Sequence, residues 1–257
     1  MTIRKEIVLA EQIIKSKKRV QQHGEVFTPK RIVNLMLDQE ELQENLRDLS
    51  STFLEPSAGE GAFLTEILRR KLDVARQVSE TRDAYDENAL IALASLYGIE
   101  LLEDNVELLV MNMIMTFSTK YIRVLETDFN VDPENIGAKR VIDSAKTIIR
   151  ANMVQGNALT RLNDRGEPLM FSEWQMLPKK RGVRKVQRSL YTFDAIIEQG
   201  QPETSVNKKP EHAEYDLFAG MFEDEIEAAV TEETPTIKYV PVRITEVYKE
   251  LVEEIEN

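Results

Sequence analysis

Residues 53–64 read FLEPSAGEGAFL, and this stretch predicts the centre of the fold. A short apolar run meets a carboxylate at Glu55, a loop carries glycines at positions 59 and 61, and apolar residues then return with helical spacing. This order is typical of a buried strand, a tight turn and a helix. In a parallel sheet such a turn lies beyond the carboxyl ends of the strands, where glycines let the backbone approach a ligand closely. A plain strand-to-helix turn would show the same pattern.

Strand signals alternate with helix signals along the rest of the chain, which predicts an α/β fold with a mostly parallel sheet. Apolar spacing predicts a helix that starts at Thr28-Pro29, with threonine as its N-cap, and further helices at 4–22, 60–79, 87–96, 102–121, 127–150, 217–230 and 245–256. Short apolar runs predict strands at 52–55, 97–100, 153–159, 191–197 and 238–244, the last at a sheet edge because it contains Pro241. The segment 160–189 is predicted to be irregular. The helix at 102–121 carries three methionines that are expected to fill the core, namely Met111, Met113 and Met115.

The composition is typical of a globular protein without a membrane span. Of 257 residues, 42% are apolar and 30% are charged, and no run of eighteen apolar residues occurs. The chain has no cysteine, which excludes disulfides, thiolate zinc sites and cysteine nucleophiles, and the cytoplasm is the predicted location. The two histidines, His23 and His212, have no neighbours at metal-ligand spacing, so no metal site is expected.

The charge of the chain is unevenly distributed. The net charge of −12 argues against a protein that coats nucleic acid by itself. Residues 198–257 hold sixteen acidic and five basic side chains, so the first 197 residues are close to neutral. Two basic segments lie within that neutral part, at 15–19 and at 178–188. They leave DNA open as a partner of the chain.

A second acidic residue, Glu100, supports the interpretation of the glycine loop as a ligand-binding site. The segment YGIEL places Glu100 at the end of the strand that follows the glycine loop. A carboxylate at this point commonly accepts hydrogen bonds from both hydroxyls of a ribose. The alternative is a solvated strand end.

Four segments, in order and at suitable spacing, carry a family resemblance. FLEPSAGEGAFL resembles the first motif of the S-adenosylmethionine-dependent methyltransferases, in the form used by adenine-specific DNA methyltransferases of restriction–modification systems. GEVFTPKRIVNLML at 24–37 resembles the segment that precedes this motif, YGIELLEDNV at 97–106 resembles the second motif, and MVQGNAL at 153–159 resembles the third. The resemblance spans about residues 24–197.

The resemblance implies a Rossmann-like class I methyltransferase fold that binds S-adenosylmethionine. It would consist of a helical N-terminal arm at 1–50, a cofactor-binding domain at 51–197 and an acidic linker, edge strand and helix at 198–257. Thr28 and Pro29 would contact the methionine part, Glu100 the ribose and Leu101 the adenine ring, with Asn157 near its amino group. The alternatives are a plain helix cap at Thr28 and a turn residue at Asn157. The implied cofactor-binding residues are Thr28, Pro29, Glu55, Pro56, Ser57, Ala58, Gly59, Gly61, Glu100, Leu101 and Asn157.

The catalytic motif of the family is altered in this chain. After FDAII, where the family has an asparagine, two prolines and an aromatic residue, this chain reads EQGQPE. Aligned at Asp194, the asparagine falls at Gln199. In the family, the asparagine oxygen and a proline carbonyl orient the amino group of a flipped adenine toward the methyl donor, while the aromatic residue stacks on the base. The candidate catalytic residues here are Gln199 and Asp194, and the usual transfer is not expected.

Two interpretations of function remain open, with a small-molecule or protein methyltransferase as a third and a purely structural fold with an empty pocket as a fourth. In the first, the chain is a reduced adenine-specific DNA methyltransferase that needs a partner protein for sequence recognition. In the second, it is a non-catalytic cofactor-binding subunit or interaction protein of a restriction or anti-restriction system. Only about sixty residues follow the expected fourth strand, so the C-terminal part of the sheet is predicted to be incomplete, and either completed by a partner or left open.

The basic segment at 178–188 lies between the third and fourth motifs, on the expected substrate side. If DNA binds the chain, its phosphates are expected to contact this segment, with strongly salt-dependent affinity. The alternative is a solvated loop. The candidate DNA-binding residues are Lys179, Lys180, Arg181, Arg184, Lys185 and Arg188.

Overall fold

A three-stranded parallel sheet lies at the centre of the computed structural model, which describes residues 28–132, 134–198 and 237–254. The strands lie in the spatial order β1-β2-β3, and their bounds are Phe53–Glu55 for β1, Leu96–Glu100 for β2 and Met153–Gln155 for β3. The predicted mixed α/β fold with a parallel sheet is therefore confirmed. The strands that flank the glycine loop are the ones that local sequence pattern indicated.

Helices cover one face of the sheet: the first two precede β1 and pack on the helix that follows it, and the next four connect β1 to β2 and β2 to β3. They are α1 (Lys30–Leu37), α2 (Glu40–Arg47), α3 (Ala62–Gln77), α4 (Arg82–Ala94), α5 (Glu103–Asp128) and α6 (Ile136–Asn152). The main apolar core lies between the helices and the sheet, and it includes Leu64, Leu93 and Met113. Within this core α3 packs on α4 and α5, and α5 also packs on α6.

The close contact between α3 and β2 depends on the absence of a side chain at Gly98. A Cβ atom at this position would lie 2.9 Å from Cδ1 of Leu64 and 3.0 Å from Sδ of Met153. We expect Gly98→Ala to lower the free energy of unfolding by about 1–3 kcal/mol, because the neighbours must leave their rotamers to make room. Urea denaturation measures the change. An unchanged midpoint would contradict this account of the packing.

A buried lysine fastens the amino ends of β1 and β2. Nζ of Lys71 donates hydrogen bonds to the carbonyl oxygens of Leu49 and Ser51, at 3.2 and 2.5 Å, and to Oγ of Ser95 at 2.7 Å. Burial lowers the pKa of Lys71 to about 8. These bonds hold the start of β1 against the start of β2.

An antiparallel hairpin covers the other face of the sheet. Its strands are β4 (Met170–Met176) and β5 (Val186–Thr192), and Phe171 packs with Ile99 of β2 in a second apolar cluster. The prediction that 160–189 is irregular is therefore wrong for 170–176 and 186–189, while 160–169 and 177–185 lie outside the strands and helices. The turn residues that suggested it, Pro178 and Gly182, lie in the connection between the two strands.

The predicted fourth parallel strand at 191–197 is also wrong. Strand β5 ends at Thr192, whose Oγ1 accepts a hydrogen bond from the N–H of Ala195 at 3.1 Å and begins helix α7 (Phe193–Ile197). A five-residue apolar run suits a strand and a helix equally, and here a cap and the burial of Phe193 decide for the helix. Among the described strands, β1 consequently has a neighbour on one side only.

The described C-terminal residues form a small sheet beside the hairpin. Strands β6 (Ile237–Tyr239) and β7 (Val252–Glu254) pair antiparallel, as expected for an edge strand that precedes Pro241. The predicted helix at 245–256 is wrong. A short 3₁₀ helix (Ile244–Lys249) ends at Glu250, whose positive φ of 44° turns the chain back toward β6. The predicted helices at 4–22 and 217–230 lie outside the described residues.

Helix α5 is the one described segment that is long and apolar enough to cross a membrane by length and composition, although no span was expected from the sequence. In the fold it packs on α3 and α6. Met113 is fully buried, but Met111 and Met115 are 47% and 58% exposed, so the expectation that all three methionines fill the core is wrong for two of them. The buried face repeats every four residues, which turns positions two residues away toward the opposite side.

Candidate functional site

The glycine loop is shaped by two residues with positive φ. Gly59 has a φ of 54° and Gly61 a φ of 88°, a region that residues with a Cβ rarely adopt. The backbone N–H of Ala58 donates to the carbonyl of Ile99 at 2.9 Å, which holds the loop over the carboxyl end of β2. Gly61 also serves as the N-cap of α3, and a Cβ there would lie 2.5 Å from Cδ1 of Leu109.

Glu100 fastens the same loop from the end of β2. Its carboxylate is buried, and Oε2 accepts a hydrogen bond from the N–H of Gly59 at 2.8 Å. Oε1 accepts from the N–H of Leu102 at 3.1 Å and from Nδ2 of Asn105 at 3.3 Å. A carboxylate offers about four acceptor positions, and these three hydrogen bonds use one on Oε2 and two on Oε1. The second position on Oε2 can therefore accept a hydrogen bond from a ligand hydroxyl while the bond to Gly59 is kept.

A cleft of 590 Å³, called here the loop cleft, opens between the glycine loop, the start of α1 and the sides of α3 and α5. Its volume lies in the range of small-molecule sites. Five of the predicted cofactor residues line it, namely Thr28, Glu55, Ser57, Ala58 and Gly59. The loop cleft therefore collects the residues that were predicted on the methionine side of the cofactor.

The loop cleft is lined by charged residues of both signs, namely Lys30, Glu55, Glu60, Glu66 and Arg69, and Glu55 differs from the others in its effect on a ligand. Burial raises the pKa of Glu55 above its ordinary value. No hydrogen bond or ion pair joins its carboxyl group to another described residue. A half-buried carboxyl group without a partner favours a ligand that brings a positive charge.

The remaining predicted cofactor residues lie around the loop cleft rather than in it. Pro29 is the N-cap of α1, which begins at Lys30, so the prediction that Thr28 is the cap is wrong by one position. Pro56 is exposed on the loop, and Leu101 is 51% exposed beside Glu100. An exposed leucine at this point leaves apolar surface for a ring to cover.

Asn157 adopts the role of a turn residue. Its Oδ1 accepts hydrogen bonds from the N–H groups of Leu159 and Thr160, at 2.9 and 3.3 Å. This is the alternative that the sequence left open, since asparagine commonly closes a turn on the backbone two residues ahead. Its predicted contact with adenine stays a prediction.

An ion cluster on α3 borders the loop cleft and was not predicted from the sequence. Oε1 of Glu66 accepts from Nη2 of Arg69 at 2.6 Å and from Nε of Arg70 at 2.9 Å. Nη1 of Arg70 then reaches Oδ1 of Asp38 at 2.7 Å, just beyond the end of α1. Burial alone would raise the pKa of Glu66, but the two arginines outweigh it and lower this pKa to about 2. The cluster holds α1 at the loop cleft.

Of the two candidate catalytic residues, Asp194 lies within the described part of the chain and Gln199 lies outside it. Asp194 lies in the first turn of α7, and its carboxylate forms a short ion pair with Arg161. Its charge is thus already matched by a cation of the β3–β4 loop. No group of three or more potential metal ligands occurs within the described parts of the chain.

A second, apolar cleft runs along the outer side of β1. The N–H of Phe53 donates a hydrogen bond to the carbonyl of Ser95 at 2.9 Å. In a parallel strand, the backbone N–H and C=O groups of successive residues point to opposite sides of the strand. The N–H and C=O of Leu54 therefore face away from β2. No described strand pairs with them. The cleft, called here the edge cleft, has a volume of 320 Å³ and is lined mainly by apolar side chains that include Leu54, Tyr97, Phe171, Phe193 and Ile196.

Comparison with protein-family models gives a match to the N-6 DNA Methylase family over residues 8–142, which is more than half of the chain. The chain belongs to the N-6 DNA methylase family. The matched part contains the glycine loop, Glu100 and the loop cleft, and it ends before β3 and the hairpin. No curated protein and no solved structure matches the chain.

Membership of the N-6 DNA methylase family gives the chain a methyltransferase-like function in DNA methylation, with S-adenosylmethionine as the methyl donor that the family implies. The methylase match thus covers the part of the chain where sequence motifs and loop geometry agree. The altered motif after FDAII lies outside the matched residues.

Proposed function

We propose that the chain binds S-adenosylmethionine, with the methionine part in the loop cleft and the ribose at Glu100. The observation that carries this proposal is the hydrogen bond between the N–H of Gly59 and the carboxylate of Glu100. It joins two motifs that lie 41 residues apart at the carboxyl end of neighbouring parallel strands, where α/β sheets bind their ligands. The strand order β1-β2-β3 is consistent with one half of a Rossmann-like methyltransferase sheet.

Charge supports the choice of ligand. S-adenosylmethionine carries a sulfonium and an ammonium group, and the unpaired carboxyl group of Glu55 lines the loop cleft. A ligand with positive charge would keep Glu55 ionised and would offset the cost of its burial. Exposed Leu101 would then cover one face of the adenine ring.

We further propose that a partner protein supplies the residues that hold the target adenine. In an open α/β sheet the ligand crevice forms where the strand order reverses, which requires a strand on each side of the crevice. The described chain has β2 on one side of β1 and the edge cleft on the other. An extended apolar segment of a partner would pair with the free N–H and C=O of Leu54 and cover the edge cleft.

The proposal predicts that the full chain alone does not methylate DNA. With labelled S-adenosylmethionine and an adenine-containing duplex, we expect transfer at background level, because the chain lacks the asparagine–proline–proline–aromatic sequence of its family. Strong methylation by the unmodified chain would contradict the need for a partner. Transfer that appears when the native partner is added supports the shared enzyme, whereas its continued absence favours the non-catalytic subunit.

A further inference from the structure

The tip of the β4–β5 hairpin, residues 179–185, is a concentrated positive surface. It carries five cations, and no acidic residue occurs in the sequence between Glu173 and Asp194. None of the five forms an ion pair with another residue that the structure describes. They are Lys179, Lys180, Arg181, Arg184 and Lys185. The sixth predicted DNA contact, Arg188, is used internally, because its Nη1 is paired with Glu250 at 2.7 Å.

The turn at this tip is tight and presents an arginine at its apex. Lys180 and Val183 exchange backbone hydrogen bonds at 2.9 and 3.0 Å. The two residues between them, Arg181 and Gly182, have φ angles of 50° and 80°. A two-residue turn with positive φ at both positions favours asparagine at the first position and glycine at the second. Arginine at the first position therefore adopts a left-handed conformation that costs about 1–2 kcal/mol.

The hairpin tip lies at the end of the sheet opposite the glycine loop, and this corrects the expectation that it lies on the substrate side. Strand β4 begins beside Ile99 near the carboxyl end of β2. Further along, Nε1 of Trp174 donates to Asn152, whose amide bonds the carbonyl of Leu96 at the amino end. The tip then reaches a cleft beside Arg82, the first residue of α4. Helix α4 has 13 residues, a length of about 20 Å, and it leads from Arg82 to the amino end of β2.

The cleft beneath the tip carries charges of both signs. A cleft of 460 Å³ separates the tip from the starts of α4 and α6, and Arg140 and Arg243 line it together with Arg184. Acidic residues line it as well, and two of them are engaged with other groups: Asp86 accepts from Tyr121 at 2.5 Å and Glu246 pairs with Lys249 at 2.7 Å. The further acidic residues are Asp83 and Glu87. Positive charge therefore dominates at the tip, with a mixed surface beneath it.

We propose that the hairpin tip docks the phosphate backbone of duplex DNA, on the side of the sheet remote from the cofactor. Five cations within seven residues, none of them ion-paired to a described residue, match the charge of a phosphate strand, and the tip has no amide or carboxylate side chain of the kind that reads adenine or cytosine. Such a surface holds DNA independently of sequence, while the target base is presented elsewhere. The inference does not depend on cofactor binding by the chain, and the two can fail separately.

The test is fluorescence anisotropy of a labelled duplex titrated with the full chain at several salt concentrations. We expect sequence-independent binding whose logarithmic salt slope is about −4.5 for five phosphate contacts. Arg181→Asn suits the turn and removes one charge, so it is expected to raise thermal stability, to weaken binding and to reduce the slope by about 1. The matched control is Arg165→Asn in the β3–β4 loop at the opposite end of the sheet, which is expected to leave binding unchanged.

Three results would overturn the proposal. The first is no binding of the duplex at 50 mM salt or below, where phosphate contacts are strongest. The second is an effect of Arg165→Asn without an effect of Arg181→Asn, which would put the DNA at the carboxyl end of the sheet. The third is binding of polyglutamate that is tighter than binding of the duplex at equal charge, which would make the tip a dock for an acidic protein.

Discussion

Glu66→Gln is expected to lower the free energy of unfolding by about 2 kcal/mol at neutral pH and to loosen α1 from the loop cleft. The carboxylate is 5% exposed and accepts hydrogen bonds from Arg69 and Arg70. An amide at this position keeps the volume of the side chain but loses the charge that both arginines share. Arg70 also bonds Asp38 beside the end of α1, so the loss is expected to reach the lining of the loop cleft.

The dependence of this effect on pH follows from the pKa of Glu66. This pKa falls from an ordinary 4.5 in the unfolded chain to about 2 in the folded chain, so the unfolded state binds the proton more readily. The stabilisation is therefore fully present above pH 4.5 and is lost as the pH falls toward 2. The full shift corresponds to about 3 kcal/mol, which screening by solvent around the half-exposed Arg69 reduces.

Urea denaturation between pH 2 and pH 7 measures this difference between the unmodified chain and the variant. The two curves are expected to converge as the pH falls. Glu44→Gln, at an exposed position of α2, is the matched control and is expected to change stability by less than about 0.5 kcal/mol. A stability difference for Glu66→Gln that stays constant with pH would contradict the ionic account of this cluster.

Glu100→Ala is expected to reduce affinity for S-adenosylmethionine by about 100-fold or more. The variant removes the acceptor for ribose hydroxyls, and each charge-assisted hydrogen bond of this kind contributes about 1.5–3 kcal/mol. It also leaves the N–H groups of Gly59 and Leu102 without their acceptor, so the glycine loop loses its attachment to β2. We expect the free energy of unfolding to fall by about 2–4 kcal/mol as well.

Two further variants separate binding from stability at this position. Glu103→Ala removes an exposed carboxylate three residues away, at the start of α5, and is expected to leave affinity unchanged. Glu100→Gln keeps an oxygen that accepts from the N–H of Gly59, so the fold is retained while affinity falls by about tenfold. Titration of each variant, together with a thermal melt of the same sample, provides the readout. Equal affinities for Glu100→Gln and the unmodified chain would contradict the role of this carboxylate.

The elements around the glycine loop could be predicted because their signals are local. The apolar run before Glu55, the glycines at 59 and 61 and the helical spacing after them fix a strand, a turn and a helix within twelve residues. Glu100 follows from the same logic one strand later. The placement of both at neighbouring strand ends follows from the parallel order of the sheet, and the family match covers this part of the chain.

The errors arose where long-range contacts decide between equal local signals. FDAII has the composition of a strand, but burial of Phe193 against the hairpin and the cap at Thr192 make it a helix. The anchor from Arg70 to Asp38 spans 32 residues and has no local signature, although the i, i+3 and i+4 spacing of Glu66, Arg69 and Arg70 signals the ion cluster itself. Asn157 shows that a motif position can be occupied by a residue engaged in its own turn.

Calorimetric titration of the full chain with S-adenosylmethionine tests the central claim most directly. The account predicts saturable binding at a single site, which Glu100→Ala weakens by about 100-fold or more and Glu103→Ala preserves. No heat of binding at millimolar ligand would contradict the account. In that case the glycine loop would be a structural turn of the N-6 DNA methylase fold, fastened by Glu100 for stability alone.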